Sequence, residues 1–582
     1  MTVPWIFPRL LWLPCCFFLL WAPPVLAAPA FVVQGGNQLQ RENIEAWLGS
    51  PREGCDLPVM RERAMKRRVR NDTAGALKAL GYYQPQITLD LQRDANCWQL
   101  RVRFSPGEPV RIVAIDVQLQ GEAENDSAFI ALKQSPPMVI GDPARHDQYE
   151  QLKNRLLRLA AERGYFESSL QRQALHVDVA AGEAVIELHV QSGPRYRFGE
   201  VSFEQDILTD KLLDKFVRFE TGDPFDNRRL LSLRQSLSGS GYFADVRVRS
   251  EPDSESRTVA VIVSANPRAR YVYTAGVGFA TDTGPRFRLG MENRRVNRRG
   301  HRFDTGLELS PVRSGIGMNY MVPMGDPARE RVTFSNSYLH EKVDDYSSDR
   351  YRLGVAHMRE LESGWLANWM STRSLDFERE FFTVAGESDR TDLLMPGYEL
   401  SRVRSDDPIY PRRGWRLRGK VRVAHEDVVS TVSLVQVRGH AKWVFPTWYG
   451  RILMRVEGGA TLADEVADLP SSVRFFTGGD NTIRGYAYQS LGPTNDDGDV
   501  IGGRHMLVGS MEYDIPFAQN WSWAVFVDGG NAYDALDAFD PVYGHGTGIR
   551  WRSPIGPLRL DIAKPSDGRD NFRLHISMGM DL

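Results

Sequence analysis

Beyond its first 27 residues, the sequence lacks any run of about 20 consecutive apolar residues, the length that a transmembrane helix needs. The one long apolar stretch, Leu10 to Leu20, follows Arg9 and precedes Pro23-Pro24 and the small-residue sequence Val25-Leu26-Ala27. This order is typical of a cleaved export signal, so we predict a signal peptide over residues 1–27, with an uncleaved signal anchor as the alternative. The exported chain is then either soluble or inserted into a membrane as a β-barrel.

Cysteine is scarce as well, with four residues in a chain of 582. Cys15 and Cys16 fall in the predicted signal peptide, which leaves Cys55 and Cys97 in the exported chain. In an oxidising compartment this even pair predicts a disulfide, and two unpaired thiols are the alternative. Two cysteines are too few ligands for a structural metal site, so no metal is expected.

Neither sign of charge dominates, because 72 Lys and Arg residues face 74 Asp and Glu residues. This balance argues against nucleic acid as a partner, since nucleic-acid binders need a strong basic field. Catalytic signatures are missing too: the sequence contains no His-Glu-x-x-His, no Gly-x-Ser-x-Gly and no phosphate loop with its lysine. The acidic stretch at 495–499 lacks the spacing and the closing Glu of a calcium loop. We therefore expect a protein that is not an enzyme and needs no cofactor.

The front half of the chain repeats itself. Gly81-Tyr82-Tyr83, Gly164-Tyr165-Phe166 and Gly241-Tyr242-Phe243 each follow an amphipathic helix and precede a strand, a tight turn and a second strand. Recurrence at a spacing of about 80 residues is typical of an array of similar domains. We predict three α+β modules of order β-α-α-β-β, with three unrelated α+β domains as the alternative.

Turn-forming residues mark the boundaries between these modules, at Ser105-Pro106-Gly107, Ser192-Gly193-Pro194 and Asn266-Pro267. The predicted modules therefore span residues 28–107, 108–194 and 195–266. Within the second and third modules, Gly141-Asp142-Pro143 and Gly222-Asp223-Pro224 precede the long helix. Because proline is well tolerated at the first position of a helix, these tripeptides are predicted to open those two helices.

From residue 267 onward, helical periodicity gives way to alternation of apolar and polar residues, which is the period of a β-strand. A soluble β-sandwich also alternates, so the content of the polar face decides between the two folds. The four cations Arg416, Arg418, Lys420 and Arg422 share one face, which would be unfavourable in a sandwich core but suits a water-filled lumen. Residues 267–582 are therefore predicted to form a barrel, and about 315 residues at ~20 per strand and loop give roughly sixteen antiparallel strands.

Two motifs carry a family resemblance. The segment from Thr477 to Tyr486 reads TGGDNTIRGY, and the segment from Phe526 to Asn531 reads FVDGGN. Together with tandem modules in front of a barrel, they resemble the BamA/TamA superfamily of outer-membrane assembly proteins, and the repeats resemble POTRA domains. Three such repeats match the TamA branch. The resemblance implies a membrane β-barrel of about sixteen antiparallel strands in the outer membrane of a Gram-negative-type cell, preceded by three POTRA modules in the periplasm.

The resemblance also implies a loop lock. In this family Arg484-Gly485-Tyr486 would lie at the tip of a long extracellular loop that folds back into the lumen, where Arg484 would reach the carboxylate of Asp528. Gly485 would allow the backbone to turn where a Cβ atom would clash. Glu512 is an alternative acceptor for Arg484, and an ordinary surface turn is the alternative to a lock.

The first and last barrel strands form a seam in this superfamily, which is thought to part and admit client strands. On the first strand, Gly276 and Gly278 are consistent with a weak seam, although small residues that fit the barrel's curvature explain them equally well. The last strand ends in Leu582 instead of the usual Phe. The predicted seam residues are Tyr271, Tyr273, Gly276 and Gly278 on the first strand and Phe572, Leu574, Ile576, Met578 and Leu582 on the last.

The function implied by the resemblance is the insertion or secretion of outer-membrane β-barrel clients such as autotransporters. The implied partners are a TamB-like inner-membrane protein bound through the first module, the clients, and outer-membrane lipid. Passage of phospholipid between the membranes is a further implied role. The rival interpretation is a passive porin or receptor barrel with periplasmic docking modules, although such a barrel needs neither three modules nor an Arg-Gly-Tyr segment.

Overall fold

The computed structural model describes residues 28–94, 97–280, 284–553, 556–568 and 572–578. The predicted signal peptide and Leu582 lie outside these described residues. The chain divides into two compact units. The first extends to Phe198 and includes Gly222–Asn227 and Pro252–Val259, and the second holds the remainder, including the whole of the barrel.

Three small α+β modules occupy the front half, and each has the predicted order β-α-α-β-β. The first contains β1 (Ala30–Gly35), α1 (Gln38–Leu48), α2 (Val59–Ala79), β2 (Gln86–Arg93) and β3 (Trp98–Ser105). The second contains β4 (Arg111–Gln120), α3 (Ser127–Gln134), α4 (His146–Glu162), β5 (Ser169–Asp178) and β6 (Glu183–Gln191). The third contains β7 (Arg197–Glu204), α5 (Asp210–Leu213), α6 (Asn227–Gly239), β8 (Phe243–Asp253) and β9 (Thr258–Pro267). In each module the last strand lies at the centre of a three-stranded sheet: β1-β3-β2, β4-β6-β5 and β7-β9-β8.

The core of the first module shows why these residues fold this way. Asn37 caps α1 by accepting a hydrogen bond from the backbone of Gln40, and the Gln40 side chain accepts one from Asn37 in return. On α2, apolar residues at helical spacing such as Met65 and Val69 are buried against the central strand β3. A disulfide joins Cys55 to Cys97, with their Cα atoms 4.6 Å apart, and closes a loop over this core.

The expectation that Gly-Asp-Pro opens the long helices is wrong. The helix α4 begins at His146, three residues after Pro143, and the tripeptide instead turns back along strand β4. The amide of Gly141 donates to the carbonyl of Ile112 over 2.8 Å, and the Ile112 amide donates to Asp142 over 2.9 Å. Gly141 has a φ of +97°, a conformation that favours glycine. The third module repeats this arrangement, because satisfying the strand's backbone groups outweighs the preference of proline for a helix start.

Sixteen antiparallel strands follow in one sheet, in sequence order, and form a nearly closed barrel, which confirms the predicted number. They are β10 (Tyr271–Ala280), β11 (Gly284–Asn293), β12 (Arg302–Leu309), β13 (Arg313–Pro323), β14 (Glu330–Lys342), β15 (Tyr346–Glu360), β16 (Met370–Val384), β17 (Glu387–Ser405), β18 (Gly414–Ala424), β19 (Leu434–Pro446), β20 (Arg451–Leu462), β21 (His505–Ala518), β22 (Trp521–Tyr533), β23 (Val542–Ser553), β24 (Gly556–Pro565) and β25 (Arg573–Met578). No helix in the described part of the chain is both long and apolar enough to cross a membrane.

The alternation along the strands separates a lumenal face from an outer face. On β18, Val421 and Val423 are exposed on the outer face. Arg416, Arg418, Lys420 and Arg422 line a cavity inside the barrel instead. The predicted cationic face is therefore lumenal, as a membrane barrel with a polar interior requires.

Candidate functional site

A long connection between β20 and β21 fills part of the barrel interior. It contains no helix and no long strand, yet Leu469, Val473, Thr477 and Ile483 along it are fully buried. Short isolated bridges give it shape, such as Phe475 with Gly503. A segment this long without regular structure is typical of a functional element when it is so well packed. We call residues 463–504 the inward loop.

Arg484 lies at the inner end of the inward loop and forms a bidentate ion pair with Asp528 on β22. Its Nε atom donates to one carboxylate oxygen over 2.7 Å, and its Nη2 atom donates to the other over 2.9 Å. The backbone amide of Arg484 also donates to Asp528, over 3.0 Å. Arg484 is 7% exposed and Asp528 is fully buried. Parallel bonds of this kind fix orientation as well as distance, because the planar guanidinium matches the carboxylate.

Two further carboxylates reach the same guanidinium. The Nη1 atom of Arg484 donates to Glu512 on β21 over 2.8 Å and to Asp561 on β24 over 3.1 Å. A second arginine, Arg550 on β23, binds Glu512 over 2.8 Å and Asp561 over 2.5 Å. Arg484, Glu512, Asp528, Arg550 and Asp561 thus form one buried network, which we call the arginine lock.

An aromatic ring covers the other side of the lock. The guanidinium carbon of Arg484 lies 3.4 Å from the ring centroid of Phe526. Such cation–π contacts are strongest where water is excluded. The lock as a whole joins four consecutive strands, β21 to β24, to the tip of the inward loop.

Close backbone contacts explain the glycines around Arg484. Gly485 has a φ of +102°, and a Cβ atom there would lie 3.0 Å from the backbone nitrogen of Pro565. Across from it, a Cβ atom on Gly544 would lie only 1.8 Å from the carbonyl oxygen of Arg484. Both positions therefore require glycine, because any side chain would push the inward loop away from β23 and β24.

The inward loop is also attached to the last strand. The amide of Gly485 donates to Nε2 of His575 on β25 over 3.0 Å, and Nδ1 of the same ring lies 2.5 Å from the Asp480 carboxylate. His575 is 2% exposed. On the other side, Arg455 of β20 donates to the loop carbonyls of Asn481 and Thr482. The loop tip is therefore bonded to strands on both sides of the lock.

Tyr486, the third residue of the motif, is 4% exposed and packs in a buried cluster with Phe475 and Ile483. Its hydroxyl donates to the carbonyl of Tyr543 over 3.4 Å. The structure thus brings Arg484, Gly485, Tyr486 and Asp528 together inside the barrel. It also makes Glu512 an additional acceptor, where the sequence offered it as an alternative to Asp528.

Sequence reasoning missed Arg550, Asp561, His575 and Asp480. Arg550, Asp561 and His575 each occupy an inward position on a strand, so the alternation of inward and outward residues could have indicated that they face the lumen. Phase alone identifies many inward polar residues, however, and gives no hint of which ones meet the loop.

The predicted seam residues lie at the two ends of the sheet. On β10, Tyr273 is 75% exposed on the outer face, and Cβ atoms at Gly276 and Gly278 would meet open space. Phe572 lies just ahead of β25, whose Leu574 and Met578 point outward. Within the residues that the structure describes, β25 pairs with β24 over six positions, and no ladder joins it to β10.

The chain matches known families over most of its length. Residues 264–581 match the family described as the Omp85 superfamily domain. Residues 30–106 match the POTRA domain TamA domain 1, and residues 196–268 match the POTRA family described as a surface antigen variable number repeat.

Named relatives and a solved structure are also outer-membrane assembly factors of the BamA type. The chain is 25% identical over 401 residues to the outer membrane protein assembly factor BamA of Nitratidesulfovibrio vulgaris, covering 64% of this chain and 49% of that protein. It is 20% identical over 575 residues to BamA of Neisseria meningitidis serogroup B, covering 85% and 70%. The crystal structure of Haemophilus ducreyi BamA lacking POTRA domains 1–3 superposes with a TM-score of 0.64 at 16% identity, covering 80% of this chain and 98% of that one, which shows a shared fold. The chain thus spans about half the length of the first of these relatives.

Proposed function

Since the chain belongs to the Omp85 superfamily, we propose that it is an assembly or translocation factor that inserts or secretes outer-membrane β-barrel clients. The barrel lies in the outer membrane, and the N-terminal modules lie in the periplasm. The observation that carries the proposal is the arginine lock, because it fastens the tip of a long lumenal segment to β21–β24 and, through His575, to the last strand. A passive pore does not need an Arg-Gly-Tyr segment fastened in this way.

The proposed mechanism depends on the seam. The lock and its contact with His575 hold the C-terminal strands as one unit, while β25 makes a ladder with only one neighbour among the described residues. An edge strand presents unpaired backbone N–H and C=O groups, which are a template for an incoming strand. We propose that the seam edges of β10 and β25 accept client strands while the lock keeps the neighbouring wall rigid.

Within the superfamily, we propose that the chain acts as the TamA-type subunit. Three modules and the TamA-type match of residues 30–106 support this assignment. The proposed partner is a TamB-like inner-membrane protein, and the proposed clients are autotransporters and other barrels, with phospholipid passage as an additional role. In the first module, β1 and β2 are the sheet edges, so either can receive an extended segment of the partner by strand addition.

A reconstitution experiment tests the proposed activity. The purified full chain is placed in phospholipid vesicles, and the rate at which a urea-unfolded β-barrel client becomes folded in the membrane is followed by its heat-dependent gel mobility. We expect the rate to rise above that of empty vesicles and to fall when Arg484 is replaced by alanine. A steady wide conductance in planar bilayers with no acceleration of client folding would instead support the porin or receptor.

A further inference from the structure

The barrel contains a second polar site that the arginine lock does not use. A cavity of about 520 Å³ opens inside the lumen against the inner faces of β15–β20. Eight arginine and lysine side chains line it against three glutamates, so its wall carries a strong excess of positive charge. We call this cavity the cationic chamber; its lining includes Arg350, Arg416, Lys420, Arg438 and Lys442.

Two of the three glutamates are already bound to chamber cations. Glu399 binds Arg418 over 2.8 Å, and Glu378 lies 3.5 Å from Arg352. Four other cations, Arg350, Arg416, Lys420 and Arg438, form no ion pair or hydrogen bond with any residue in the described ranges. Several cations of the wall are therefore without a direct partner among the described residues.

Arg438 gives the clearest sign of an unsatisfied site. Its guanidinium carbon lies 4.6 Å from the ring centroid of Phe475, a residue of the inward loop. Its Nε atom is buried and has no hydrogen-bond partner among the described residues. A buried donor without a partner is unfavourable, so an arginine held in place by an aromatic ring is poised to bind an anionic group.

The spacing of the cations fits a ligand with several negative charges. Inward residues two apart on one strand are separated by ~7 Å, and neighbouring strands are ~5 Å apart, so adjacent cations of the wall can reach one multiply charged group. Arginine dominates the lining, and its planar guanidinium binds phosphate oxygens two at a time. The volume lies in the range of small-molecule sites, which favours a headgroup-sized ligand over a length of folded polypeptide.

We propose that the cationic chamber binds a small ligand carrying two or more phosphate groups, either a free oligophosphate or the phosphorylated headgroup of a lipid. This site is separate from the arginine lock, and the proposal does not depend on the assembly activity. In the bound state the phosphates would neutralise Arg416, Lys420 and Arg438, which belong to β18 and β19.

Calorimetric titration of the full chain in a non-ionic detergent tests the proposal, with tripolyphosphate as the probe. We expect one site per chain and weaker binding of citrate, a tricarboxylate of similar size. Replacing Arg416 and Lys420 with glutamine should weaken tripolyphosphate binding by about tenfold or more, because each loses a charge-assisted hydrogen bond. The matched control is Arg63→Gln with Arg67→Gln, which removes two exposed cations from α2 and should leave the affinity unchanged.

Heat-dependent gel mobility checks that each variant barrel is folded. If the double variant does not fold, the single variant Arg416→Gln is used in its place. Competition with mixed micelles distinguishes the two sources of the phosphate groups. If a bisphosphorylated lipid displaces tripolyphosphate and phosphatidylcholine does not, the ligand is a lipid headgroup. If neither lipid displaces it, the ligand is a free oligophosphate. The proposal is overturned if tripolyphosphate does not bind, if Arg416→Gln and the double variant bind as well as the wild type, or if citrate or an acidic peptide binds more tightly.

Discussion

Arg484 places one guanidinium among three carboxylates, and this imbalance determines how the lock responds to substitution. Removing the arginine leaves the carboxylates of Asp528, Glu512 and Asp561 close together and without the guanidinium that all three share. Removing Asp528 leaves Arg484 with two acceptors. Breaking a buried ion pair by deleting one partner costs several kcal/mol because the remaining charge is left without compensation.

We therefore expect Arg484→Ala to destabilise the barrel by about 3–5 kcal/mol and Asp528→Ala by less. The double variant should be clearly less destabilised than the sum of the two, since the second change removes a charge that the first has already orphaned. Thermal unfolding of the detergent-solubilised protein, followed by gel mobility, measures all three. Additive effects would show that Arg484 and Asp528 act independently.

The outward-facing pair Arg379 and Asp392 provides the matched control. Their two hydrogen bonds, of 2.6 and 2.8 Å, are as short as those in the lock, but the arginine side chain is 44% exposed. Exposed ion pairs typically contribute about 0–1 kcal/mol. The same three substitutions at this pair should therefore produce small effects, which separates burial from bond geometry as the source of the lock's strength.

A different residue-scale effect is expected in the second module, at Asp126. Burial alone would raise the pKa of this carboxyl, but the hydrogen bond from Arg163 at 2.6 Å, the Ala128 amide and the nearby charge of Arg195 outweigh it and hold the pKa below its ordinary value. A carboxyl with a lowered pKa in the folded state stabilises above its unfolded pKa of about 3.9, and the contribution is lost as the pH falls through the folded value.

Asp126→Asn should accordingly lower the stability of the modules by about 2 kcal/mol at pH 7, and this difference should shrink below about pH 4. Because every α-helix in the described chain belongs to the modules, the helical circular-dichroism signal of the full chain reports their unfolding. Asp90→Asn, at an exposed position on β2, is the control and should show little change at either pH. A gap between wild type and Asp126→Asn that stays constant down to pH 2 would contradict the assigned cause.

The residues of the lock differ in how far the sequence could identify them. Arg484 and Asp528 lie in the two motifs, so the motif resemblance could bring them together. Arg550 and Asp561 have no motif, and their partners are 38 and 11 residues away across strands whose register only the fold defines. Long-range register depends on barrel closure and strand tilt, which no local pattern encodes.

At the scale of elements, the inward loop is a bridge between the barrel wall and the last strand. His575 connects the Gly485 amide and the Asp480 carboxylate to β25, which is the shortest strand of the barrel as described. The loop tip thereby reinforces a strand that has a ladder on only one side among the described residues. Loss of this contact should loosen the loop and β25 together while leaving the rest of the barrel intact.

We expect His575→Ala to increase protease cleavage or cysteine labelling of the loop tip around residues 480–486, with a loss of about 1–2 kcal/mol from the missing hydrogen bonds. His545→Ala serves as the control, because His545 lies on the exposed outer face of β23. If the loop tip in His575→Ala stays as protected as in the wild type, then the contacts of Arg484 and Arg455 are enough to hold the loop, and the bridge to β25 contributes nothing.

Elements were predicted well where a single pattern determined them and poorly where two patterns competed. The alternation in β18 predicted its lumenal face correctly, because every second side chain is a cation and these cations line the cavity inside the barrel. Gly141-Asp142-Pro143 carried a helix-start pattern and a turn pattern at once. The hydrogen bonds to Ile112 stabilise the turn, and Ile112 is 29 residues before Gly141 in the sequence, beyond the reach of any local pattern.

At the scale of the whole molecule, the first module is separable in sequence. Its last strand ends at Ser105 and the next begins at Arg111, so a deletion of residues 28–107 cuts no helix or strand. It contacts the second module through Tyr83, whose hydroxyl lies 2.8 Å from Nε2 of His146, and through a hydrogen bond from the Val110 amide to the Gly81 carbonyl. The barrel has its own hydrogen-bonded sheet, so we expect it to close without this module.

We expect the chain without residues 28–107 to fold its barrel, as shown by unchanged heat-dependent gel mobility, but to lose co-purification of the TamB-like inner-membrane protein. The reason is that the deletion removes β1 and β2, the sheet edges proposed to receive the partner.

The variant Cys55→Ser with Cys97→Ser is an intermediate case, because it keeps both sheet edges but removes the disulfide. Closing this loop stabilises the module by about 4 kcal/mol, so partner binding by the variant should weaken on warming and persist in the cold. If the chain without residues 28–107 still co-purifies the partner in full, the contact lies in the second or third module. If the deletion abolishes both partner binding and the folded barrel, the first module acts in folding and not in recognition.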